Sequence, residues 1–150
     1  MDYQDYVKYE PFLARRACAA TLDYLLYVAI FYGYVHFFGK ENEQGMIEAK
    51  GIHHVLAVMF LWILYFPVVE GAFGFTLFKG LFDLKIVPER RKDFRIAVAF
   101  KRHLLDPIDF FLFGLVAIVL VKTRDDHKRL GDMFAHSRVV PDKEDEKVAA

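Results

Sequence analysis

Several residue types on which many enzymes and secreted proteins depend are scarce in this sequence. Cys18 is the only cysteine, so no disulfide can form within the chain. Ser137 is the only serine, and neither a Gly-x-Ser-x-Gly motif nor a glycine-rich phosphate loop occurs. The 20 basic residues balance 20 acidic ones, so the chain lacks the net positive charge typical of nucleic-acid-binding proteins. We therefore expect no enzyme, no cofactor and no nucleic-acid partner.

Apolar residues, by contrast, are abundant and lie in three blocks. They make up 55% of the 150 residues, above the share of about 45–50% that is usual in soluble domains. A helix that spans a bilayer requires about 20 apolar residues. The blocks predict embedded helices at about residues 14–38, 55–75 and 104–121, of which the first contains one acidic residue, Asp23. The sequence therefore predicts an all-α membrane protein with about three embedded helices.

The positions of the basic residues predict an orientation. Residues 79–102 carry eight basic and three acidic residues, as expected of a basic loop on the cytoplasmic side. Arg15 and Arg16 precede the first helix, which places the amino end in the cytoplasm too and residues 39–54 outside. No cleavable signal peptide is recognisable at the amino end. We expect a multi-pass protein whose first partner is the lipid bilayer.

The third apolar block conflicts with this rule. Its 18 residues are barely enough to span, and a full crossing would place the following basic cluster outside. One solution is a short third span that overrides the charge bias. The other is a re-entrant segment that breaks near Asp106, Pro107 or Gly114 and returns to its starting face. We favour three embedded helices and leave the crossing of the third open.

Two short segments are prone to form strands, residues 84–87 and 137–140, and a proline follows each of them. If they pair as a β ribbon, both must lie on one face of the membrane; the alternative is two unrelated loop segments. Residues 1–141 are expected to form one membrane domain. The charged tail, residues 142–150, is expected to be disordered.

Four sequence pieces together resemble the RDD family of small bacterial membrane proteins over residues 15–140. The pieces are ARRACAATLDYLL, TLFKGLFDLKIV, FKRHLLDPIDFF and KRLGDMFAHSRVV. The resemblance maps the family's arginine onto Arg15 or Arg16 and its aspartates onto Asp23 and Asp109, and the Leu-Gly-Asp piece adds Asp132. It implies a bacterial inner-membrane protein, and members of the family have been linked to cation and proton exchange.

These residues allow two readings. Asp23 lies about 12 Å along the helix from Arg15 on a shared face. It could meet Asp109, and two carboxylates at one site keep one protonated, which suits cation binding or proton transfer. In the other reading each aspartate pairs with an arginine or caps a helix, as Asp109 could before the apolar run. Asp132 is expected in a turn or an ion pair.

Other polar residues in or near the apolar blocks are weaker candidates for a functional site. Glu70, near the end of the second block, is expected to be exposed at the membrane interface. Three histidines, His36, His53 and His54, are expected on the outer face, where no carboxylate or cysteine spacing supports a closed metal site.

Two functions follow. The first is a small transporter or exchanger of monovalent cations and protons that uses its intramembrane aspartates and works as an oligomer. The second is a structural or accessory membrane protein whose aspartates hold the helix bundle together and which assembles with a membrane partner or with further copies of itself. In that role the basic residues 79–102 would face anionic lipid or another protein.

Overall fold

Two long apolar helices dominate the computed structural model. The structure describes residues 12–89, 95–109, 111–124 and 127–142, and of residues 109 and 111–116 it describes the backbone alone. Helix α1 is Leu13–Phe38. Helix α2, Ile52–Ile63, continues through a π-helical segment, Leu64–Val69, into α3, Glu70–Phe73. Within the described residues, Leu13–Phe38 and Ile52–Phe73 are long and apolar enough to cross a membrane. They match the first two predicted helices closely.

Pro67 explains the π-helical segment. Proline has no N–H to donate, and in an α-helix its ring would clash with the preceding turn. Widening to i→i+5 hydrogen bonds accommodates it without ending the helix. The rod therefore continues to Gly74, whose left-handed φ of 85° ends α3.

The outward surface of both long helices is apolar. Phe37 and Phe38 of α1 and Ile52 and Phe60 of α2 are each more than 60% exposed. Such side chains on a soluble surface would form a large apolar patch, whereas in a bilayer they face lipid. At one end the helices are joined through a short antiparallel hairpin, β1 (Lys40–Glu41) and β2 (Ile47–Glu48).

The prediction of a basic loop over residues 79–102 was wrong for most of that stretch. Its described part holds the end of α4 (Leu77–Leu81), strand β3 (Leu84–Pro88) and most of α5 (Arg95–Leu104). Helix α5 is strongly amphipathic and buries Val98 and Ala99. Two of the basic residues, Lys79 and Arg102, point inward and are largely buried.

The predicted β ribbon is confirmed. Strand β4, Ser137–Pro141, pairs antiparallel with β3, with Ile86 opposite Val139. Leu84, Ile86 and Val140 are buried under the ribbon. The chain therefore returns at residue 137 to the place that it left at residue 88.

The third apolar block is helical in both of its described parts, which lie on either side of residue 110. It contains α6, Asp106–Asp109, and α7, Phe111–Thr123, and the described chain then leads to α8, Leu130–Phe134. The turn at Leu105 separates this block from α5. The helix predicted at about residues 104–121 thus begins at Asp106 and reaches Thr123 in its described parts, and whether it crosses the membrane stays a prediction.

Helix α5 packs antiparallel to the α2–α3 rod, and Gly71 allows the two to approach closely at the start of α5. A Cβ built on Gly71 would lie 2.5 Å from the Cα of Ile96, closer than real Cβ contacts come. At the other end of α5, the His103 ring lies 5.0 Å from that of Phe66 and 6.1 Å from that of Trp62. The close contact at Gly71 thus sets the position of the last turn of α5.

We expect Gly71→Ala to weaken the fold, since the added methyl would force α5 away from α3. The cost of such overpacking is about 1–3 kcal/mol in the free energy of unfolding. Denaturant titration of the purified protein in detergent measures it. Gly33→Ala is the control, because Gly33 lies within α1 with no atom within 4 Å of its built Cβ. There the change should stabilise by up to about 1 kcal/mol, and an equal loss in both variants would contradict the role given to Gly71.

Candidate functional site: a buried charge network

Eight ionisable side chains meet where the end of the α2–α3 rod, α5, α6 and α8 surround the first turns of α1. We call this set the charge network; its members are Arg16, Glu70, Lys79, Arg102, His103, Asp106, Arg129 and Asp132. They come from positions as far apart in sequence as 16 and 132, so the network forms only when the chain is folded.

Arg102 lies at the centre of the network and is 1% exposed. Its Nε lies 3.1 Å from Glu70 Oε1, and its Nη1 lies 2.7 Å from Asp132 Oδ1 and 3.1 Å from Ser137 Oγ. A buried guanidinium requires such partners, because leaving one charge of a buried pair alone costs several kcal/mol. One side chain therefore ties α3, α8 and the start of β4 to α5.

Asp132 is fully buried and contacts two arginines besides Arg102. Arg16 Nη2 donates to Asp132 Oδ2 over 2.6 Å, and the backbone N–H of Arg129 donates to the same oxygen over 3.3 Å. Burial alone would raise the pKa of this carboxyl, but the guanidiniums of Arg102, Arg16 and Arg129 hold it below its usual range. Asp132 is therefore ionised and fastens α8 to α1.

Asp106 joins α6 to three other parts of the chain. The Tyr24 hydroxyl donates to its Oδ2 over 2.5 Å, and His103 Nδ1 lies 2.5 Å from the same oxygen. Arg129 Nη1 lies 2.9 Å from Oδ1. The ion pair with Arg129 connects the beginning of α6 to the residue just before α8, although all of α7 lies between them in sequence.

Glu70 was expected at the membrane interface, and that expectation was wrong. It is 2% exposed, because it faces α5 rather than the outside of the rod. It pairs with Lys79, and its Oε2 lies 3.2 Å from His103 Nε2. Burial holds the pKa of the Lys79 ammonium below its ordinary value, although the charge of neighbouring Glu70 acts in the opposite direction. His103 thus lies between two carboxylates, one at each ring nitrogen.

Asp23 has a different environment from the carboxylates of the network. It is 1% exposed and accepts hydrogen bonds from the hydroxyls of Tyr65 and Thr76, both over 2.5 Å, and from the backbone N–H of Phe78 over 3.3 Å. Its described partners are therefore neutral donors, which satisfy the carboxylate without a counter-charge. They tie α1 to the π-helical segment and to the start of α4.

The five residues predicted as site candidates separate in the structure. Arg16 and Asp132 contact each other within the network, whereas Arg15 points away, is exposed and lies over the Phe12 ring at 5.7 Å. Asp23 lies beside the network. The side chain of Asp109 lies outside the described residues, so its predicted meeting with Asp23 stays a prediction.

Most of the network was missed by sequence reasoning, although two signals were present. Glu70 is a lone acid inside an apolar block, and such a residue by default faces protein rather than lipid. Arg102 and His103 follow an amphipathic segment, and the helical period places them on the buried face with Val98 and Ala99. No helical spacing identifies Lys79 as the partner of Glu70, nine residues before it, or Arg129 as the partner of Asp106, which lies on the other side of α7.

We expect Asp132→Asn to destabilise the protein by about 3–5 kcal/mol near neutral pH, since the neutral amide leaves Arg102 and Arg16 uncompensated. The lowered pKa of Asp132 also predicts a pH dependence. Below about pH 4 Asp132 takes up a proton in the unfolded state but not in the folded state, so the free energy of unfolding of the wild-type protein falls. This part of the decline should be absent from Asp132→Asn. Denaturant unfolding in detergent between pH 3 and 7 measures both effects.

Asp142→Asn is the matched control. Asp142 is half exposed and pairs with Lys85 at 3.4 Å, and such surface pairs contribute about 0–1 kcal/mol. A loss for Asp132→Asn as small as for this control would mean that Asp132 does not hold the network.

Comparison with known protein families gives one match, to the RDD family, over residues 11–136. No curated protein and no solved structure matches the chain. The matched stretch includes every residue of the charge network, both long apolar helices and all of α8. Because the match covers most of the chain, this protein belongs to the RDD family, a membrane-associated family.

Proposed function

We propose that the chain spans the membrane twice, with α1 and the α2–α3 rod, and that residues 95–123 form a re-entrant helical hairpin. The first arm of the hairpin is α5, which runs antiparallel to the rod from Gly71 to the level of Trp62 and Phe66. Short α6 forms its tip, and α7 is the second arm.

Two contacts with α1, one from α6 and one from the segment that follows α7, support the return of the chain. Asp106 of α6 meets Tyr24, about two turns into α1. Farther along, Arg16 donates to the carbonyl of His127 over 2.8 Å, at the beginning of α1. The chain thus runs from the level of Tyr24 back to the level of Arg16.

This arrangement removes the conflict over charge. In the proposed topology the basic residues in the last turn of α7 and after it lie on the same face as Arg15 and Arg16, together with the β3–β4 ribbon. The residues concerned are Lys122, Arg124, Lys128 and Arg129. An excess of positive charge on one face is expected of the cytoplasmic side. We infer an inner-membrane protein with a cytoplasmic amino end and the β1–β2 hairpin outside.

We further propose that the protein is an accessory membrane protein in which the charge network holds the hairpin against the two spans. The observation that carries this proposal is that each of the three network carboxylates contacts at least one arginine. Arginine stays protonated, so it keeps its partner ionised and opposes the proton uptake that exchange requires. The apolar outer faces of both spans remain available to lipid, to a membrane partner or to another copy of the chain.

Cysteine accessibility tests the topology. In a Cys18→Ala background, we expect Leu81→Cys and Thr123→Cys to react with a membrane-impermeant maleimide from one face and Gln44→Cys from the opposite face. All three positions are exposed. Labelling of Thr123→Cys and Gln44→Cys from the same face would show a third crossing and exclude the re-entrant hairpin.

A second function, cation and proton exchange, is favoured by one observation. Asp106 lines a groove between α1 and α2 beside Thr21, Tyr24 and Trp62, and His103 lies behind it in contact with Glu70. An imidazole between two carboxylates can pass a proton from one to the other. A proton entering from the groove would reach Glu70 by this path.

Liposomes holding the purified protein distinguish the two functions. Under the accessory proposal, a sodium or potassium gradient should drive no proton movement beyond that of protein-free liposomes, while Asp23→Asn and His103→Gln should lower the yield of folded protein. Proton movement that is lost in His103→Gln but kept in Asp142→Asn, at matched protein amounts, would replace the accessory role by exchange.

A further inference from the structure

A cavity of about 120 Å³ lies between the first turns of α1 and the second half of α7. It is distinct from the groove at Asp106. Four cationic side chains of the charge network line it, and none of the described residues that line it is acidic. These four residues are Arg16, Lys79, Arg102 and Arg129. The network therefore presents its positive groups to the cavity, while Glu70, Asp106 and Asp132 lie outside the lining.

The hydrogen-bonding capacity of these cations exceeds what the network carboxylates can accept. Each guanidinium has five N–H donors and the ammonium has three, whereas an ionised carboxylate has about four acceptor sites. Three arginines and a lysine thus offer about 18 donors to about 12 acceptor sites on three carboxylates. Charge shows the same imbalance, with four cations against three anions in the network when His103 is neutral. The cavity is suited to an additional anion.

The rest of the lining is apolar. Its side chains come from α1, α7 and the β3–β4 ribbon, and they include Leu13, Ala17, Ala20, Leu84, Ile118 and Val139. Ala17 is exposed on the outer face of α1, and Ile118 is 40% exposed on α7. The apolar lining therefore continues from the cations to the surface that faces lipid.

We propose that this cavity binds an acidic phospholipid, with the phosphate among the four cations and an acyl chain along the groove between α1 and α7. A phosphate suits an arginine cluster because guanidinium forks bind its oxygens in pairs. Basic pockets between membrane helices are a recurring form of lipid head-group site. A soluble anion would use the cations but would leave the apolar walls unfilled. The site does not depend on whether the accessory role or exchange is correct.

Thermal unfolding of the purified full chain in a non-ionic detergent tests the proposal. The probes are phosphatidylglycerol, phosphatidylcholine with the same acyl chains, and sodium phosphate. We expect phosphatidylglycerol to raise the unfolding midpoint by about 5–10 °C at about 100 times its dissociation constant. The other two probes should leave the midpoint within about 1 °C. Native mass spectrometry should show one phosphatidylglycerol retained per chain.

Variants that fill the cavity without removing a charge locate the site. Ala20→Phe places a ring within the lining of the cavity and Ala17→Phe places one where the lining meets the lipid-facing surface, whereas Ala29→Phe makes the same change at an exposed position of α1 that does not line the cavity. We expect the phosphatidylglycerol shift and the retained lipid to be lost in both cavity variants and kept in Ala29→Phe. Retained lipid is read directly, so a change in the basal stability of one variant does not obscure the result.

Three outcomes would overturn the proposal. Equal shifts with phosphatidylcholine would mean that the cations do not select the head group. An equal shift with sodium phosphate would make the cavity a site for a soluble anion. Retention of phosphatidylglycerol by both cavity variants would place the lipid elsewhere on the protein.

Discussion

The need to pair charged side chains that are buried away from water is the main constraint on this structure. Arg102 and Asp132 are buried almost completely, and neither could remain so without a partner of opposite sign. The members of the network come from six helices, α1, α3, α4, α5, α6 and α8 with its N-cap, so satisfying one charge fixes the relative positions of several elements. Apolar packing alone would be a weak constraint, because lipid is as apolar as the side chains that it replaces. In such a solvent, ion pairs and hydrogen bonds determine which helices associate.

The re-entrant hairpin that we propose for α5, α6 and α7 would follow from this constraint. Its tip carries Asp106, which reaches Tyr24 on one side and Arg129 on the other. The backbone at the turn between α5 and α6, at Leu105, is polar and would be costly against lipid, but such a turn is tolerated where protein covers it. In the proposed topology, the same contacts that neutralise the charges make this turn possible within the membrane.

Sequence reasoning predicted what depends on local composition. The two long apolar helices and the strands β3 and β4 were predicted within a few residues, since hydropathy and strand propensity are local properties. Helix α5 was taken for a loop because its basic residues were read as solvent-facing, whereas Arg102 faces Glu70. The network depends on pairings such as Arg16 with Asp132, separated by 116 residues, and one sequence offers no signal for a pairing at that distance.

The pairing of β3 with β4 sets an order in which the protein can be completed. Strand β3 ends at residue 88, and its partner begins at residue 137. During synthesis α1, the α2–α3 rod, α5 and α7 leave the ribosome before the ribbon can close. Ser137, which accepts from Arg102, arrives with that last strand. Until then Arg102 and Glu70 are incompletely enclosed, so the final residues of the domain complete a core that was begun at residue 16.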